Sequence, residues 1–288
     1  MTSDALCTLD GARAAHGSPA PIGPSRTPWL KREFSRRLPI LVGAGSLLVG
    51  ALAWQLYGAL QKNNLFIPTF TQMVEALVGQ VFTADFWDAY GKTLIPFTIG
   101  WVAAMAIGIT FGVAMGMSAL FSKLATPYLS FLNALPISAL VPLVVIAAGI
   151  DITAGAILVF LFAIVDVTLT SSAGVRYVDE DLKAMARTFG MGSAAVFRKV
   201  IWPGSMPGIL AAIRVGTGRA IVGMVVMELL LVSTGVGKLI TRYKDRFESA
   251  ELYAVVVSLA VFGLIMLGLT RNLERRVLRW QPSRKREQ

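Results

Sequence analysis

The sequence predicts an all-α membrane protein with about six transmembrane helices. Of its 288 residues, 55% are hydrophobic and only 15% are charged. A soluble domain usually carries about a quarter charged residues, so this chain is too apolar for that class. Six stretches are also apolar enough to cross a bilayer, which takes about 20 mostly apolar residues. The bulk of the chain, residues 38–270, is therefore expected to lie in lipid.

The six predicted spans follow one another at residues 38–60, 93–117, 126–150, 154–175, 206–232 and 252–270. The third and fourth are separated only by a short turn at Asp151. The third contains Pro136 and Pro142, and a proline inside a helix removes a hydrogen bond and clashes with the preceding turn. A kink is therefore expected in the third span. The second span carries small residues at four-residue spacing from Ala104 to Gly116, a pattern typical of close helix packing.

The distribution of Lys and Arg predicts that both termini are cytoplasmic. With the N-terminus inside, the inside segments carry 19 of the 27 basic residues and the outside segments carry 6. The other two, Arg214 and Arg219, fall in the fifth span. Such a bias follows the rule that cytoplasmic loops are rich in Lys and Arg. The basic segment 176–205 is then cytoplasmic.

The two tails are polar and basic. Residues 1–37 are rich in Pro and Gly and are predicted to be a disordered cytoplasmic tail, with a short basic helix near Leu30–Leu38. Residues 271–288 form a second basic cytoplasmic tail. Cys7 and His16, the only Cys and His of the chain, lie in the first tail and exclude a metal site built from these ligands. The net charge of +10 stands in blocks at the ends of apolar runs, which argues against a nucleic-acid partner.

The stretch 181–203, DLKAMARTFGMGSAAVFRKVIWP, predicts two short amphipathic helices joined by a turn. Apolar residues recur at helical spacing in the first half, and Gly190 and Gly192 supply the turn. The second half has an apolar stripe that begins at Val196. We call residues 176–205 the two-helix segment. One of its apolar faces is expected to pack on the bundle and the other to enter a groove on a soluble partner.

The two-helix segment resembles the cytoplasmic EAA loop of permease subunits of bacterial ABC importers. Ala186, Gly190, Val200 and Pro203 match that pattern, in which E-A-A is followed by G, an aliphatic residue and L-P. Two positions depart from it, since the Glu is Ala184 and the Leu before the Pro is Trp202. The resemblance implies a contact between that Glu and an ATPase, and Asp181 or Glu180 are the candidates to replace it here.

The resemblance extends from about Phe66 to Trp280 and is closest to the nitrate, sulfonate and taurine branch. It is carried by FIPTFTQMVEAL, NALPISALVPL, IRVGTGRAIVGMVVMELL and ERRVLRW. It implies a type I ABC importer-like fold and a permease domain at residues 38–270 in the bacterial inner membrane. The implied function is the uptake of a small anion, such as a sulfonate or taurine, nitrate, or an aromatic or other organic carboxylate, by alternating access.

The resemblance also implies partners and site residues. The partners are an ABC ATPase homodimer that binds ATP and Mg, a second copy of this permease, an extracytoplasmic solute-binding protein and membrane lipid. The implied ATPase-coupling residues lie in the two-helix segment: Asp181, Ala184, Met185, Ala186, Phe189, Gly190 and Pro203. No catalytic residue and no cofactor is expected in this chain, since its nearest string to a phosphate-binding loop, STGVGKL, lacks the required Gly and Ser/Thr.

Three charged residues lie within predicted spans, where ionised groups are costly and usually face a cavity or each other. Asp166 is in the fourth span, and Arg219 and Glu228 are in the fifth. In one interpretation Asp166 and Arg219 neutralise each other and hold the bundle together. In the other interpretation they belong to the translocation pathway together with Glu228 and Pro136. Arg219 would then face the passage and help an anion through, and Asp166 would tune or gate that passage. Glu228 also suits a structural hydrogen-bonding role.

Three alternatives stay open at this point. The same type of importer could carry a thiamine-precursor pyrimidine or another uncharged heterocycle. Asp166 favours this alternative because its negative charge could cancel that of Arg219. An ion-coupled transporter or channel would work without an ATPase and leaves the two-helix segment unexplained. A membrane scaffold would tolerate apolar residues at positions 166 and 219.

Overall fold

The computed structural model describes residues 29–60, 66–231 and 235–278, with the side chains of residues 29–41 and 231 left aside. All regular secondary structure within these ranges is helical. The helices are α1 (Trp29–Leu60), α2 (Phe70–Val81), α3 (Ala84–Met117), α4 (Ala119–Ala134), α5 (Val141–Ala148), α6 (Ile152–Arg176), α7 (Glu180–Thr188), α8 (Ser193–Val196), α9 (Trp202–Leu231), α10 (Gly235–Asp245) and α11 (Ser249–Val277). A 3₁₀ turn, Ile137–Leu140, precedes α5, and a π-helical turn, Phe197–Ile201, joins α8 to α9.

Five helical stretches of the described residues are long and apolar enough to cross a membrane. They are Val42–Leu60, Ala84–Met117, Ile152–Arg176, Ser193–Leu230 and Ser249–Val277. The pair formed by Ala119–Ala134 and Ile137–Ala148 makes a sixth if it counts as one bent span. The all-helical membrane fold with about six spans, predicted from composition and hydropathy, is therefore confirmed.

The third span bends by 84° between α4 and the 3₁₀ turn. The bend is centred on Leu135 and Pro136. Leu135 has an extended backbone, with φ −72° and ψ 134°, as expected for a residue that precedes proline. Pro136 is also extended, with φ −70° and ψ 94°, and it caps the 3₁₀ turn. Pro136 thus ends α4 and redirects the chain within the membrane.

Helix α6 packs between α3 and α9 and forms the centre of the unit that comprises residues 54–288. The small-residue stripe of α3 faces α6. A Cβ built on Gly112 would lie 2.6 Å from the Cβ of Ser171, and one on Gly116 would lie 2.8 Å from a methyl group of Val175. Both distances are too short for a side chain. The stripe is therefore a helix-packing surface that brings α3 and α6 together.

The chain divides into two units, residues 1–53 and 54–288, and α1 runs from the first into the second. Within the second unit, Trp54 fixes the end of α1. Its indole N–H donates to the carbonyl oxygen of Pro68 at 3.1 Å. Its ring also packs edge-on against Phe70, with centroids 5.9 Å apart, and against Tyr253 at 5.8 Å. This contact brings the start of α2 against the end of α1.

Two predicted boundaries differ from the structure. Helix α1 begins at Trp29, so the basic stretch Leu30–Leu38 continues into the first span and residues 29–37 are helical. Helix α3 begins at Ala84 and not near 93, because residues 84–92 are amphipathic, with Phe86 buried and Asp88 exposed, and hydropathy averages miss such a turn. The predicted disorder of residues 1–28 and the end of the C-terminal tail, residues 279–288, lie outside the described residues.

Candidate functional site: the two-helix segment and the charges of α6 and α9

The first helix of the two-helix segment, α7, begins with a side-chain cap. The carboxylate of Asp179 accepts a hydrogen bond from the backbone N–H of Asp181 at 3.0 Å. Glu180 and Asp181 occupy the first turn, where the helix dipole favours negative charge. Glu180 pairs with Lys183 at 2.9 Å, whereas Asp181 has no ion pair within the described ranges. Of the two acids that could replace the missing glutamate, Asp181 therefore has the unengaged carboxylate.

Helix α7 ends at a left-handed glycine. Gly190 has φ +76°, a region that side chains other than Gly and Asn rarely adopt. Its N–H donates to the carbonyl of Arg187 at 2.9 Å, and the N–H of Met191 donates to the carbonyl of Ala186 at 3.2 Å. This pair of bonds is a Schellman motif, which satisfies the last carbonyls of a helix and reverses the chain. The predicted turn glycine thus sets the angle between the two halves of the segment.

One face of the two-helix segment packs on the membrane bundle. Ala186 and Val196, one from each half, are buried. Phe197 and Ile201 follow in the π-helical turn and contact an apolar cluster contributed by α3, α6 and α9, made of Val113, Val175 and Ile209. The segment is therefore anchored on three membrane helices.

The other face of α7 is apolar and exposed. Leu182, Met185 and Phe189 lie at positions i, i+3 and i+7 of the helix, and Phe189 is 80% exposed. Ala184, the position of the missing glutamate, is exposed as well. A contiguous apolar stripe with polar neighbours is typical of a surface that binds another protein. The predicted coupling residues thus divide into two sets, with Ala186 inward and Met185 and Phe189 outward.

The second half of the segment is continuous with α9, the helix that contains the predicted fifth span. Helical structure runs from Ser193 to Leu230 without a break. Pro203 lacks a backbone N–H and would clash in a regular helix. The π-helical turn immediately before it, Phe197–Ile201, widens the helix and accommodates the proline. The second half of the segment and the membrane helix therefore form one rod.

Asp166 of α6 and Arg219 of α9 form an ion pair, with Oδ2 and Nε 2.8 Å apart. The Asp166 side chain is 23% exposed and that of Arg219 is 54% exposed. The pair thus lies on an open face of the α6–α9 packing and not in its core. The structure brings together two of the residues assigned from sequence to the pathway, and it leaves more than half of the guanidinium side chain accessible.

Glu228 lies on the same helix as Arg219, nine residues and roughly 13 Å further along. Its side chain belongs to a residue that is only 3% exposed. The carboxylate accepts the backbone N–H of Gly237 in the first turn of α10. The hydroxyl of Thr93 accepts the N–H of Val236 at 3.0 Å, so the start of α10 is held by α9 and α3 together. This geometry suits the structural role considered for Glu228.

Sequence reasoning did not find the partners of Glu228. The signal that points to them is the pair of glycines in STGVGKL. Gly235 has φ +71°, and a Cβ on it would lie 3.0 Å from the Glu228 carboxylate. A Cβ on Gly237 would also lie 3.0 Å from that carboxylate. These glycines allow the backbone of α10 to approach a buried acid.

No group of three or more His, Cys, Asp or Glu side chains within the described ranges is arranged to hold a metal ion. Metal chemistry therefore has no candidate centre in this part of the chain. The functional features that the structure presents are the exposed stripe of α7 and the ion pair between α6 and α9.

Comparison with known proteins finds relatives among transport permeases. The taurine transport system permease protein TauC of Escherichia coli (strain K12) is 29% identical over 258 residues, which are 87% of this chain and 94% of TauC. A protein of Brucella abortus (strain 2308) named a probable ABC transporter permease is 27% identical over 82% of this chain and 94% of its own length. Other relatives carry names that refer to aliphatic sulfonates, nitrate and formylaminopyrimidine.

Among solved structures, inward-facing conformations of the MetNI methionine ABC transporter match with a TM-score of 0.53 and 16% identity. The match covers 71% of this chain and 97% of the solved chain, and it shows a common fold. The family model described as the binding-protein-dependent transport system inner membrane component matches residues 104–279, which is more than half of the chain. This multi-pass inner-membrane protein therefore belongs to the family of inner-membrane components of binding-protein-dependent transport systems.

Proposed function

We propose that this chain is the permease subunit of an ATP-driven importer, that it moves a small anionic solute into the cell by alternating access, and that the two-helix segment couples it to a separate ATPase. The solute class is a sulfonate such as taurine, nitrate, or an organic carboxylate. The single observation that carries the proposal is the construction of the segment. Its first half presents the exposed apolar stripe, and its second half continues without a break into the helix that bears the accessible positive charge, Arg219.

The coupling step follows from packing. The side chains of Met185 and Phe189 are largely exposed and can enter a groove of the ATPase. Ala186 and Phe197 hold the segment against α3, α6 and α9, so a push on the exposed face reaches three membrane helices at once. Because packed helices have discrete arrangements, such a push is expected to shift them as rigid bodies.

The anionic cargo follows from Arg219. A half-exposed guanidinium on a membrane helix is costly unless it faces a cavity or a counter-charge. In a dimer of two identical permeases, two copies of Arg219 would line the passage and attract an anion. The sulfonate and nitrate named for several relatives are anions of this class. Selection of the solute is assigned to the extracytoplasmic binding protein.

The ion pair itself favours a second candidate, an uncharged heterocycle. At 2.8 Å the Asp166 carboxylate neutralises much of the charge of Arg219, so the passage need not be positive. One relative is named a formylaminopyrimidine transport permease. In this alternative the pair only stabilises the contact between α6 and α9, and the coupling through the two-helix segment is the same.

The partners of the proposal are an ATPase homodimer that binds ATP and Mg, a second copy of this chain and a solute-binding protein. The test is reconstitution of the full-length chain with the ATPase and binding protein of its own transport system. Uptake of taurine, nitrate and a pyrimidine is measured with and without ATP. Uptake that needs no ATPase would establish an ion-coupled transporter or channel and overturn the proposal.

A matched pair of variants tests the coupling surface. Phe189→Ala is expected to lower co-purification of the ATPase and ATP-dependent uptake about tenfold, as loss of an interface anchor does. The control is Phe82→Ala, which removes an equally exposed phenyl ring (85% against 80%) just after α2. Equal losses from both variants, or none from Phe189→Ala, would contradict the assigned role of the stripe.

A further inference from the structure

A cleft of about 560 Å³ opens between α9 and α11. It is lined by Arg214 of α9, by Arg271, Glu274 and Arg275 of α11, and by Leu278, which caps the end of α11. Three guanidinium groups and one carboxylate therefore face one space. Basic residues are common at the ends of membrane helices, and the distinguishing feature here is that three guanidinium groups converge on one space.

The single carboxylate of the cleft is already engaged. Glu274 accepts a hydrogen bond from Arg214, with Oε2 and Nη1 2.9 Å apart. Within the described residues, Arg271 and Arg275 form no ion pair. They stand on successive turns of α11, one on either side of Glu274, so their side chains share one side of the helix. The cleft thus contains two guanidinium groups whose positive charge no described carboxylate balances, beside the Arg214–Glu274 ion pair.

The position of the cleft relates it to the lipid. Residues 252–270 of α11 contain no charged side chain, and Arg271 is the first charge after this apolar run. The exposed side chains along that run include Leu264, Ile265 and Leu269. The cleft therefore lies where the apolar surface of α11 gives way to the polar zone. Basic pockets between membrane helices at this level are suited to phosphate headgroups.

We propose that this cleft binds a phosphate group. The guanidiniums of Arg271 and Arg275 would hold the phosphate, and the Arg214–Glu274 pair lines the same cleft. Guanidinium matches the geometry of phosphate oxygens and donates two hydrogen bonds at once. Two sources supply that chemistry, an anionic phospholipid headgroup and free inorganic phosphate. The apolar surface that adjoins the cleft suits the acyl chains of the first.

The experiment uses the full-length chain in detergent and measures lipid adducts by native mass spectrometry during titration with phosphatidylglycerol, phosphatidylcholine or inorganic phosphate. Arg275→Gln is expected to weaken phosphatidylglycerol binding about tenfold, since one charge-assisted contact is lost. Arg276→Gln is the matched control, because this exposed neighbour carries the same charge on the same helix but does not line the cleft. Arg275→Lys keeps the positive charge but loses the paired N–H donors of the guanidinium. Its affinity for phosphatidylglycerol is expected to lie between those of Arg275→Gln and Arg276→Gln.

The outcomes separate the sources and can overturn the proposal. Loss of phosphatidylglycerol binding in Arg275→Gln but not in Arg276→Gln, with little effect of inorganic phosphate, identifies a lipid site. Competition by inorganic phosphate that also depends on Arg275 identifies a free-phosphate site. Equal weakening by Arg275→Gln and Arg276→Gln shows only diffuse surface charge, and absence of any binding removes the site. Unchanged melting temperatures of the variants show that neither substitution unfolds the chain.

Discussion

Arg219 and Asp166 join two membrane helices by an ion pair of 2.8 Å, and Arg219 stands on the same continuous rod as the second half of the two-helix segment. A displacement of that rod along α6 would therefore stretch or break the pair. Because the Arg219 side chain is 54% exposed, separation of this pair would not require the helix core to unpack. The pair connects the coupling surface with the charge proposed to meet the solute.

Arg219→Ala is expected to lower anion uptake at least about tenfold while the amount of membrane-inserted protein falls less than about twofold. The reason is that the charge offered to the anion is lost, while few packed atoms are removed. Uptake into proteoliposomes and quantitative blotting measure the two effects. Equal losses in uptake and protein level would instead favour a purely structural pair.

The double variant Asp166→Asn/Arg219→Gln separates the two candidate cargoes. Each single change leaves one charge unpaired, whereas the double change leaves none, so a coupling of about 1 kcal/mol in stability is expected between the two positions. Thermal unfolding of the four proteins in detergent measures it. An importer of an uncharged heterocycle should retain uptake in the double variant, and an anion importer should not.

Gly190→Val should leave ATP hydrolysis in place but reduce the uptake that depends on it. Nothing lies within 4 Å of a Cβ at this position, so the cost comes from the left-handed backbone, about 1–2 kcal/mol for a β-branched residue. The Schellman turn would then rearrange and change the angle of α7. ATPase activity and uptake are measured on the same proteoliposomes.

Gly190→Asn is the control for that prediction, because Asn tolerates the left-handed region. It should keep most of the coupling. If Asn and Val reduce uptake equally, the glycine is needed for a close approach of the ATPase and not for its backbone conformation.

Asp181→Ala should weaken ATPase binding more than Glu180→Ala. Asp181, one turn before Ala184, forms no ion pair with the described residues, whereas Glu180 already pairs with Lys183. A loss of about 1–2 kcal/mol in ATPase affinity is expected for an interfacial charge-assisted contact. Affinity is measured by titrating labelled ATPase onto the permease. Restored binding in Asp181→Ala/Ala184→Glu would support the substitution of one acid for the other.

Glu228→Ala should loosen α10 from the bundle. The buried carboxylate accepts the N–H of Gly237, and removing it leaves that N–H unsatisfied at a cost of about 1–3 kcal/mol. Hydrogen exchange of residues 235–245 is expected to accelerate. Glu228→Gln keeps an acceptor and should exchange at nearly the original rate. Equal protection in the wild type and in Glu228→Ala would show that the contact does not hold the helix.

Gly112→Ala should destabilise the packing of α3 on α6 by about 1–3 kcal/mol, because its Cβ would lie 2.6 Å from the Cβ of Ser171. Gly91→Ala, on the same helix, meets nothing within 4 Å and should be neutral or stabilising by up to about 1 kcal/mol through helix propensity. Thermal unfolding in detergent compares the two. Similar melting temperatures would mean that α3 and α6 can separate at no cost.

Much of the fold was predictable because a bilayer makes local composition decisive. Local patterns of only a few residues predict the structure they form. Examples are the apolar runs, the prolines at 136 and 142 and the Gly stripe of α3. The continuation of the helix through Pro203 was not predictable in the same way. It depends on the π-helical turn before the proline, which is stabilised where Phe197 packs on three other helices.

The sequence by itself determined the membrane class, the number of apolar helices and the family, since these depend on composition and on motifs read along the chain. The tertiary structure alone decided which charges meet. It paired Arg219 with Asp166, engaged Glu228 with the start of α10, and placed Arg214 against Glu274, sixty residues away. The physical reason is that such contacts depend on the rotation and offset of packed helices, which are set by the fit of many side chains and not by any one segment.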